Sequence, residues 1–466
     1  MTMSEARSTG VDPVGVRSPP RLAGSPLLGH LLAFRNDRAA MQLRTARSHP
    51  DLALMRMGVF DVLLVSSPSL AHEVLQVQEE AFSKSLGLSV FLRPLLGDGL
   101  LTSERELHAR QRRLMAPAFT LKRIALYADT MAERASKAVA RWTDGETFDA
   151  AEAMMRLTLD IVGKTLFDAE VGSDAEAVGE ALTRIMSNTV SSMASLLPLP
   201  PVVPTPGNLA SRRAVARLDA IIYGLIAQRR REPGDRGDVL STLLAAQDED
   251  GSVMTDRQVR DEAMTLFLAG HETTANALAW ALYLLARNPE VRARAEEETA
   301  ALVSRTTPLA FEDLKRLPFT LAVLKEAMRL YPPAYVVGRR TRRDVVLTGG
   351  ASGAYRVKKN TNVIVNVLGI HRRADTYPDP DRFDPARFLG EREKELPRCA
   401  YMPFGAGSRV CIGNHFALME GHLLLATILG AVRLDLVRDE PVVTEPLVTL
   451  RPRGGVSMRV SRRSAS

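Results

Sequence analysis

Cysteine is nearly absent from this chain: 466 residues hold two, Cys399 and Cys411. Two thiols cannot staple a small secreted fold, and no Cys-x-x-Cys pair or Cys/His group at zinc spacing exists to build a structural metal centre. Aromatic residues are also few, 5% of the chain. None is interleaved with the arginine clusters, so the stacking platform of a single-strand binder is missing, and no zinc-finger or RNA-recognition motif accompanies them. No nucleic-acid partner is expected. Long apolar runs are the third absence. No segment reaches the roughly 18 uninterrupted apolar residues that span a bilayer, and no apolar run ahead of Pro19 and Pro20 serves as an export signal. The expectation is a cytoplasmic, monomeric protein without a membrane anchor.

What is present is an ordinary globular balance, 45% hydrophobic and 25% charged, with a net charge of +7. Placement of the basic residues matters more than their sum. Arg110 and Arg113 read as candidates to meet an acidic protein, whereas Arg229, Arg230 and Arg231 read as a solvated helix face. Along the chain, residues 52–65 form two short runs around a turn at 58–61, the pattern of a β-hairpin. Apolar spacing of three and four then predicts helices over 69–80, 104–115, 121–142, 149–166, 175–195 and 211–231. The longest predicted helix, 255–287, opens on Thr255 with Gln258 three residues on, a capping box, and closes before Asn288-Pro289. At about 1.5 Å per residue it spans on the order of 50 Å. It is apolar nearly all round, which places it through the middle of the molecule. Strands return over 345–370 and 442–460. The fold class is mainly α with a minor β-sheet region: a tail over 1–18, then one large domain over 19–466 built on a long central helix.

Cys411 stands in "FGAGSRVCIG", at the mouth of an apolar helix. A lone cysteine is usually a small buried hydrophobe. Here the helix dipole favours thiolate, the glycines allow a flat ligand to approach the backbone, and Arg409 offers charge-assisted hydrogen bonds to a carboxylate. The stretch resembles the haem-binding loop of the cytochrome P-450 superfamily, whose pattern Phe-x-x-Gly-x-Arg-x-Cys-x-Gly is met at Phe404, Gly407, Arg409, Cys411 and Gly413, with Gly405 between. The resemblance implies haem b as cofactor and the Cys411 thiolate as its axial iron ligand, which favours O–O cleavage.

Three further segments follow the same family in order. In "AGHETTA", Ala269 and Gly270 mark the implied oxygen groove, Thr273 the proton-delivering alcohol and Glu272 its supporting acid. A plainer reading of Thr273 is a hydroxyl bonded back to a carbonyl at a helix kink. In "KEAMRL", Glu326 and Arg329 share a helix face; with Arg387 of "FDPARF" they match a structural Glu-Arg-Arg triad. In "HARQRR", His108 and Arg112 match residues that meet haem propionates, and so does Arg339, with Arg340 leaving a second register open.

The resemblance implies a monooxygenase that inserts one atom of dioxygen into a small hydrophobic molecule, a fatty acid, terpenoid or polyketide-like compound. Alternatives are a haem-thiolate isomerase or peroxygenase, or a haem-binding sensor; neither gives Glu272 and Thr273 a clear task. Nothing after the cysteine loop resembles a flavin, nicotinamide or iron–sulfur segment, so electrons are expected from a separate ferredoxin or flavodoxin with its reductase. By family position the pocket draws on 86–97, 191–203, the helix around Leu266, 332–338 and 448–455, all strongly apolar. Cys399 has no motif around it and reads as incidental.

Overall fold

The computed structural model describes residues 15–463 except 59, 169–174, 194, 196–198, 233, 301 and 303–307. Most of the expected 1–18 tail and part of the 191–203 stretch lie outside the described residues. The central helix runs Asp256–Arg287. Its capping box is formed: the Thr255 hydroxyl accepts the Gln258 N–H at 3.2 Å, and the Gln258 side chain accepts the Thr255 N–H at 2.9 Å. These bonds satisfy donors that a helix start leaves orphaned. Asn288 ends it, as a residue before proline must leave helical geometry.

Every residue of 259–268 and 274–285 on this helix is buried. Helix Ala150–Phe167 crosses it closely. Gly270 permits the approach, since a Cβ there would lie 3.2 Å from Val162, and Phe167 stacks on Phe267 at 4.2 Å. Helices Pro206–Arg231, Pro318–Leu330 and Asn414–Ala431 complete the surround, and one contiguous core runs through all of them. Each fully buried Leu, Phe or Met adds about 1.5–3 kcal/mol, so packing rather than helical propensity fixes these elements.

The β-region is a five-stranded sheet in the spatial order Leu52–Met57, Phe60–Val65, Asn362–Val365, Val337–Thr341, Phe82–Lys84, with three smaller sheets. The first two strands pair antiparallel with Met57 opposite Phe60, and Gly58 takes φ +60° in the turn between them. The helices Leu31–Ser48, Val239–Ala245 and Pro289–Ala300 escape the sequence pattern. The first is broken at Asp37 (φ −156°, ψ 85°), and the last has no large apolar residue but Val291. One charge assignment is corrected. Arg229 is not on a solvated face: it is buried and pairs with Asp238 at 2.7 Å while reaching the Phe167 carbonyl. Spacing alone does not separate a buried ion pair from a basic surface.

Candidate haem-thiolate site

The cysteine loop is held by its neighbours. Gly405 and Gly407 take φ +74° and +80°, and a Cβ on Gly407 would lie 2.0 Å from the Leu75 carbonyl oxygen, so only glycine fits there. The Glu79 carboxylate accepts the Ser408 N–H at 3.0 Å and also its hydroxyl. The Cys411 N–H donates to the Phe404 carbonyl at 3.0 Å, which closes the loop, and Gly413 caps helix Asn414–Ala431. Cys411 presents accessible surface. It nevertheless lies deep enough that burial pushes its thiol pKa up, against the Gly413 N–H and Arg112. The dipole argument expected the opposite sign. The helix begins at Asn414, after the cysteine, so desolvation wins; a bound metal ion would remove the proton.

Around the loop the fold gathers cations. Arg112 donates to the Val410 carbonyl at 2.7 Å, adjacent to Cys411. His108 is buried one turn before it, and its pKa falls to about 4 through burial, then through Lys84, Arg409 and Arg112. Arg339 is buried and Arg340 half-buried; burial and then Arg409 lower the Arg339 pKa to about 10. Lys84, which the sequence did not single out, sits directly opposite Arg339 on paired antiparallel strands. Its pKa is pushed down to about 7, chiefly by burial. Like charges directly opposite destabilise a sheet. The acid in their midst is Glu104, shared between Arg409 at 3.0 Å and Arg342 at 3.1 Å. Among the described residues, no carboxylate lies within ion-pair distance of Arg112 or Arg339. Arg112 and Arg339, left without an acid of their own, fit a ligand that brings its own carboxylates, as the two propionates of haem b do.

The central helix opens only at one place. Ala269 is exposed while Gly270 and Thr273 are half-buried. The Thr273 hydroxyl donates to the Ala269 carbonyl at 2.8 Å, the back-bonded state that the plainer reading anticipated. Glu272 is pinned elsewhere. Its carboxylate accepts from Arg451 Nε at 2.8 Å and from the Thr449 hydroxyl; Thr449 in turn accepts from Asn276 at 3.1 Å. Trp280 Nε1 donates to the Leu450 carbonyl at 3.0 Å, so strand Leu450–Pro452 hangs along the helix. His271 is structural: Nδ1 faces the Phe267 carbonyl at 2.6 Å, and burial lowers its pKa. On the cysteine helix, Glu420 is wholly buried beside Thr274. Burial raises its pKa to about 8, and neither carboxyl oxygen is in a well-formed hydrogen bond among the described residues.

Glu326, Arg329 and Arg387 come together. Arg329 makes two bonds to the Glu326 carboxylate, at 2.6 and 2.8 Å, and also donates to the carbonyls of His371, Pro380 and Arg382. Arg387 Nε lies 3.5 Å from Glu326, whose carboxylate also accepts the Asp384 N–H at 2.9 Å. The two helix partners are wholly buried, unlike the exposed i,i+3 pair that their spacing describes.

On the surface, Arg110 and Arg113 are not free to greet a partner. Both bind Asp248, at 2.7 and 2.8 Å, and that carboxyl is held down to about 2, first by Arg113. The pair flanks a cleft of about 710 Å³ that lies apart from the cysteine chemistry; its charges pair with one another, as Arg123 does with Asp235 at 2.6 Å. No helix among the described residues is long and apolar enough to cross a membrane. Cys399 is buried with φ +61°, and burial raises its pKa to about 11. Its sulfur meets the Gln76 amide at 4.0 Å.

Comparison with known proteins agrees with this geometry. The family model described as "Cytochrome P450" matches residues 19–458. Cyclooctat-9-en-7-ol 5-monooxygenase of Streptomyces melanosporofaciens is 38% identical over 414 residues, covering 88% of either chain. Pentalenene oxygenase of Streptomyces avermitilis is 33% identical over 444 residues, covering 94% of this chain and 96% of that one. Among solved structures, the cytochrome P450DA haem domain superposes with a TM-score of 0.87 at 29% identity, covering 97% and 98% of the two chains.

Proposed function

Given that this chain belongs to the cytochrome P450 family and is a haem-b-dependent monooxygenase, we propose that it oxygenates a cyclic terpenoid with electrons from a separate ferredoxin or flavodoxin. The observation that carries the site assignment is the gathering of Lys84, His108, Arg112, Arg339 and Arg409, buried or half-buried, beside the cysteine loop, with no carboxylate within ion-pair distance of Arg112 or Arg339 among the described residues. In this reading Cys411 holds the iron, and Arg112, Arg339 and Arg409 hold the propionates. Phe404, Gly405 and Gly413 would flank the haem from within the same loop. Haem b bound there supplies the reductive activation of dioxygen.

The chain's own residues do the rest. The Ala269–Gly270 opening gives dioxygen room, and the Thr273 hydroxyl, held by the Ala269 carbonyl, stores a proton at the edge of it. Glu272 acts at one remove, because its bond to Arg451 fixes the helix face that carries Thr273. The buried Glu326–Arg329–Arg387 group fixes the backbone behind the loop and takes no part in chemistry. The relatives' names, one an oxygenase of pentalenene and one of a cyclooctatenol, favour the terpenoid class.

Holoenzyme supplied with a surrogate ferredoxin, its reductase, NADPH and labelled dioxygen tests this reading. Pentalenene, or another cyclic terpene hydrocarbon in a panel, should gain one labelled oxygen atom. Turnover of long-chain fatty acids with no terpene oxidised would overturn it.

A further inference from the structure

Three consecutive charged residues, Arg260, Asp261 and Glu262, sit near the start of the central helix, and all are buried. Charges placed in an otherwise apolar helix are costly, and a hydrophobic replacement usually serves stability as well or better. Their partners show what they hold. Asp261 accepts the Asp98 N–H at 2.9 Å, and Glu262 accepts the Leu100 N–H at 2.8 Å. Arg260 donates to the Leu96 carbonyl at 3.0 Å and reaches across to Asp219 on helix Pro206–Arg231.

The loop is shaped to receive them. Gly97 takes φ +77°, and a Cβ on it would lie 2.1 Å from the Asp261 carboxylate; one on Gly99 would lie 2.3 Å from the Thr265 hydroxyl. Only glycines let the backbone of 97–100 rest this closely on the helix. Thr265 is one turn, about 6 Å, from the Ala269 opening. The other side of the loop is held as well: Lys84 Nζ donates to the Leu100 carbonyl at 2.8 Å and to the Ser103 carbonyl at 2.6 Å. The residue Leu100 therefore spans two charged groups, its N–H on Glu262 and its carbonyl on Lys84, and Lys84 belongs to the cluster assigned to the haem carboxylates.

We propose that Asp261 and Glu262 are positioning residues that clamp the 97–100 segment as a wall of the substrate pocket, and that Leu100 ties that wall, through Lys84, to the seating of the haem. The second half rests on the haem assignment above. The groups facing Glu262 are the Leu100 N–H, Asp261 and Lys84; those facing Lys84 are Glu104, Arg409, Arg339, His108 and Glu262. Burial raises the Glu262 carboxyl to about 7 and lowers the Lys84 amine to about 7. Glu262 thus gains a proton as pH falls below that value, and Lys84 loses one as pH rises above it. Relative to an open segment, where both groups return to their ordinary values, the closed clamp favours Glu262 protonated and Lys84 neutral, so it is loosest near pH 7 and tightens on either side.

Amide hydrogen exchange of the haem-loaded protein, read on 97–101 and expressed as protection relative to the unstructured amide at each pH, tests this. Wild type should show protection that is lowest near pH 7 and rises by about tenfold within two pH units on either side. Glu262→Gln, which is isosteric and keeps an acceptor, should lose the acid limb and keep the alkaline one; Lys84→Met should do the reverse. Adding 1-phenylimidazole, an aromatic ligand that binds haem iron from the substrate side, should raise protection of the segment. Flat protection in wild type, an acid limb that survives in Glu262→Gln, or a segment indifferent to 1-phenylimidazole would each overturn the proposal. The reduced, carbon-monoxide-treated spectrum of the same wild-type sample separates the two readings. Its thiolate band present beside flat protection refutes the clamp alone; its absence refutes the haem assignment, and the link to the pocket with it.

Discussion

Thr273 and Glu420 show how much a single side chain on this framework is asked to do. The Thr273 hydroxyl spends its proton on the Ala269 carbonyl. It stands beside the only opening in a buried helix, so its loss removes a proton store without disturbing the core. Thr273→Ala is therefore expected to keep haem and substrate binding while diverting reducing equivalents to peroxide or water. The check is product formed per NADPH consumed, and tight coupling in the variant would refute the role. Glu420 is a carboxyl whose pKa burial has raised to about 8. Between the ordinary glutamate value and 8, the unfolded chain ionises while the folded chain stays protonated, so this group costs stability as pH rises through that window and no further above it. Glu420→Gln should therefore gain stability over wild type progressively from about pH 4 to 8, with a plateau beyond, as read from urea midpoints at several pH values. The Glu326–Arg329 contact was legible in the sequence because the two lie within one helical turn, whereas Arg387 and the role expected of Cys411 entered only through the family resemblance. Lys84 and Glu420 were not legible, since what distinguishes them is burial among groups far away in the chain.

Among elements, the central helix and the strand Leu450–Pro452 form a unit that no local pattern announces. Glu272 finds Arg451 and Thr449, Asn276 finds Thr449, and Trp280 finds the Leu450 carbonyl. Removing one partner of a buried ion pair leaves an uncompensated charge, at about 3–5 kcal/mol, whereas replacing both is often neutral. Arg451→Met should accordingly lower stability by about that amount, and the double variant Glu272→Gln with Arg451→Met should recover most of it, as measured by urea unfolding. Additive losses would contradict the pairing. The helix itself was readable end to end, because its capping box, its all-round apolarity and its Asn-Pro stop are local signals. Leu31–Ser48 was hidden by its polar composition and by the break at Asp37.

At the scale of the whole molecule, a net charge of +7 attracts an acidic electron donor over distances that salt screens. Reduction by an acidic ferredoxin is expected to slow markedly as ionic strength rises. Arg113→Glu should change that rate little, since Arg110 and Arg113 already spend their charge on Asp248; a large loss would return these arginines to the docking face. The fold class was legible because helical spacing covers far more of the chain than strand alternation does, while the cationic cluster, assembled from residues between 84 and 409, exists only after folding. That cluster and the thiol beside it carry the account. The most direct measurement is the absorption spectrum of the dithionite-reduced, carbon-monoxide-treated holoprotein, wild type against Cys411→His. Wild type should show the strongly red-shifted Soret band of a thiolate trans to carbon monoxide, and the variant should lose it for the shorter-wavelength band of an imidazole ligand. A red-shifted band that survives in Cys411→His would contradict the assignment of Cys411 as the iron ligand.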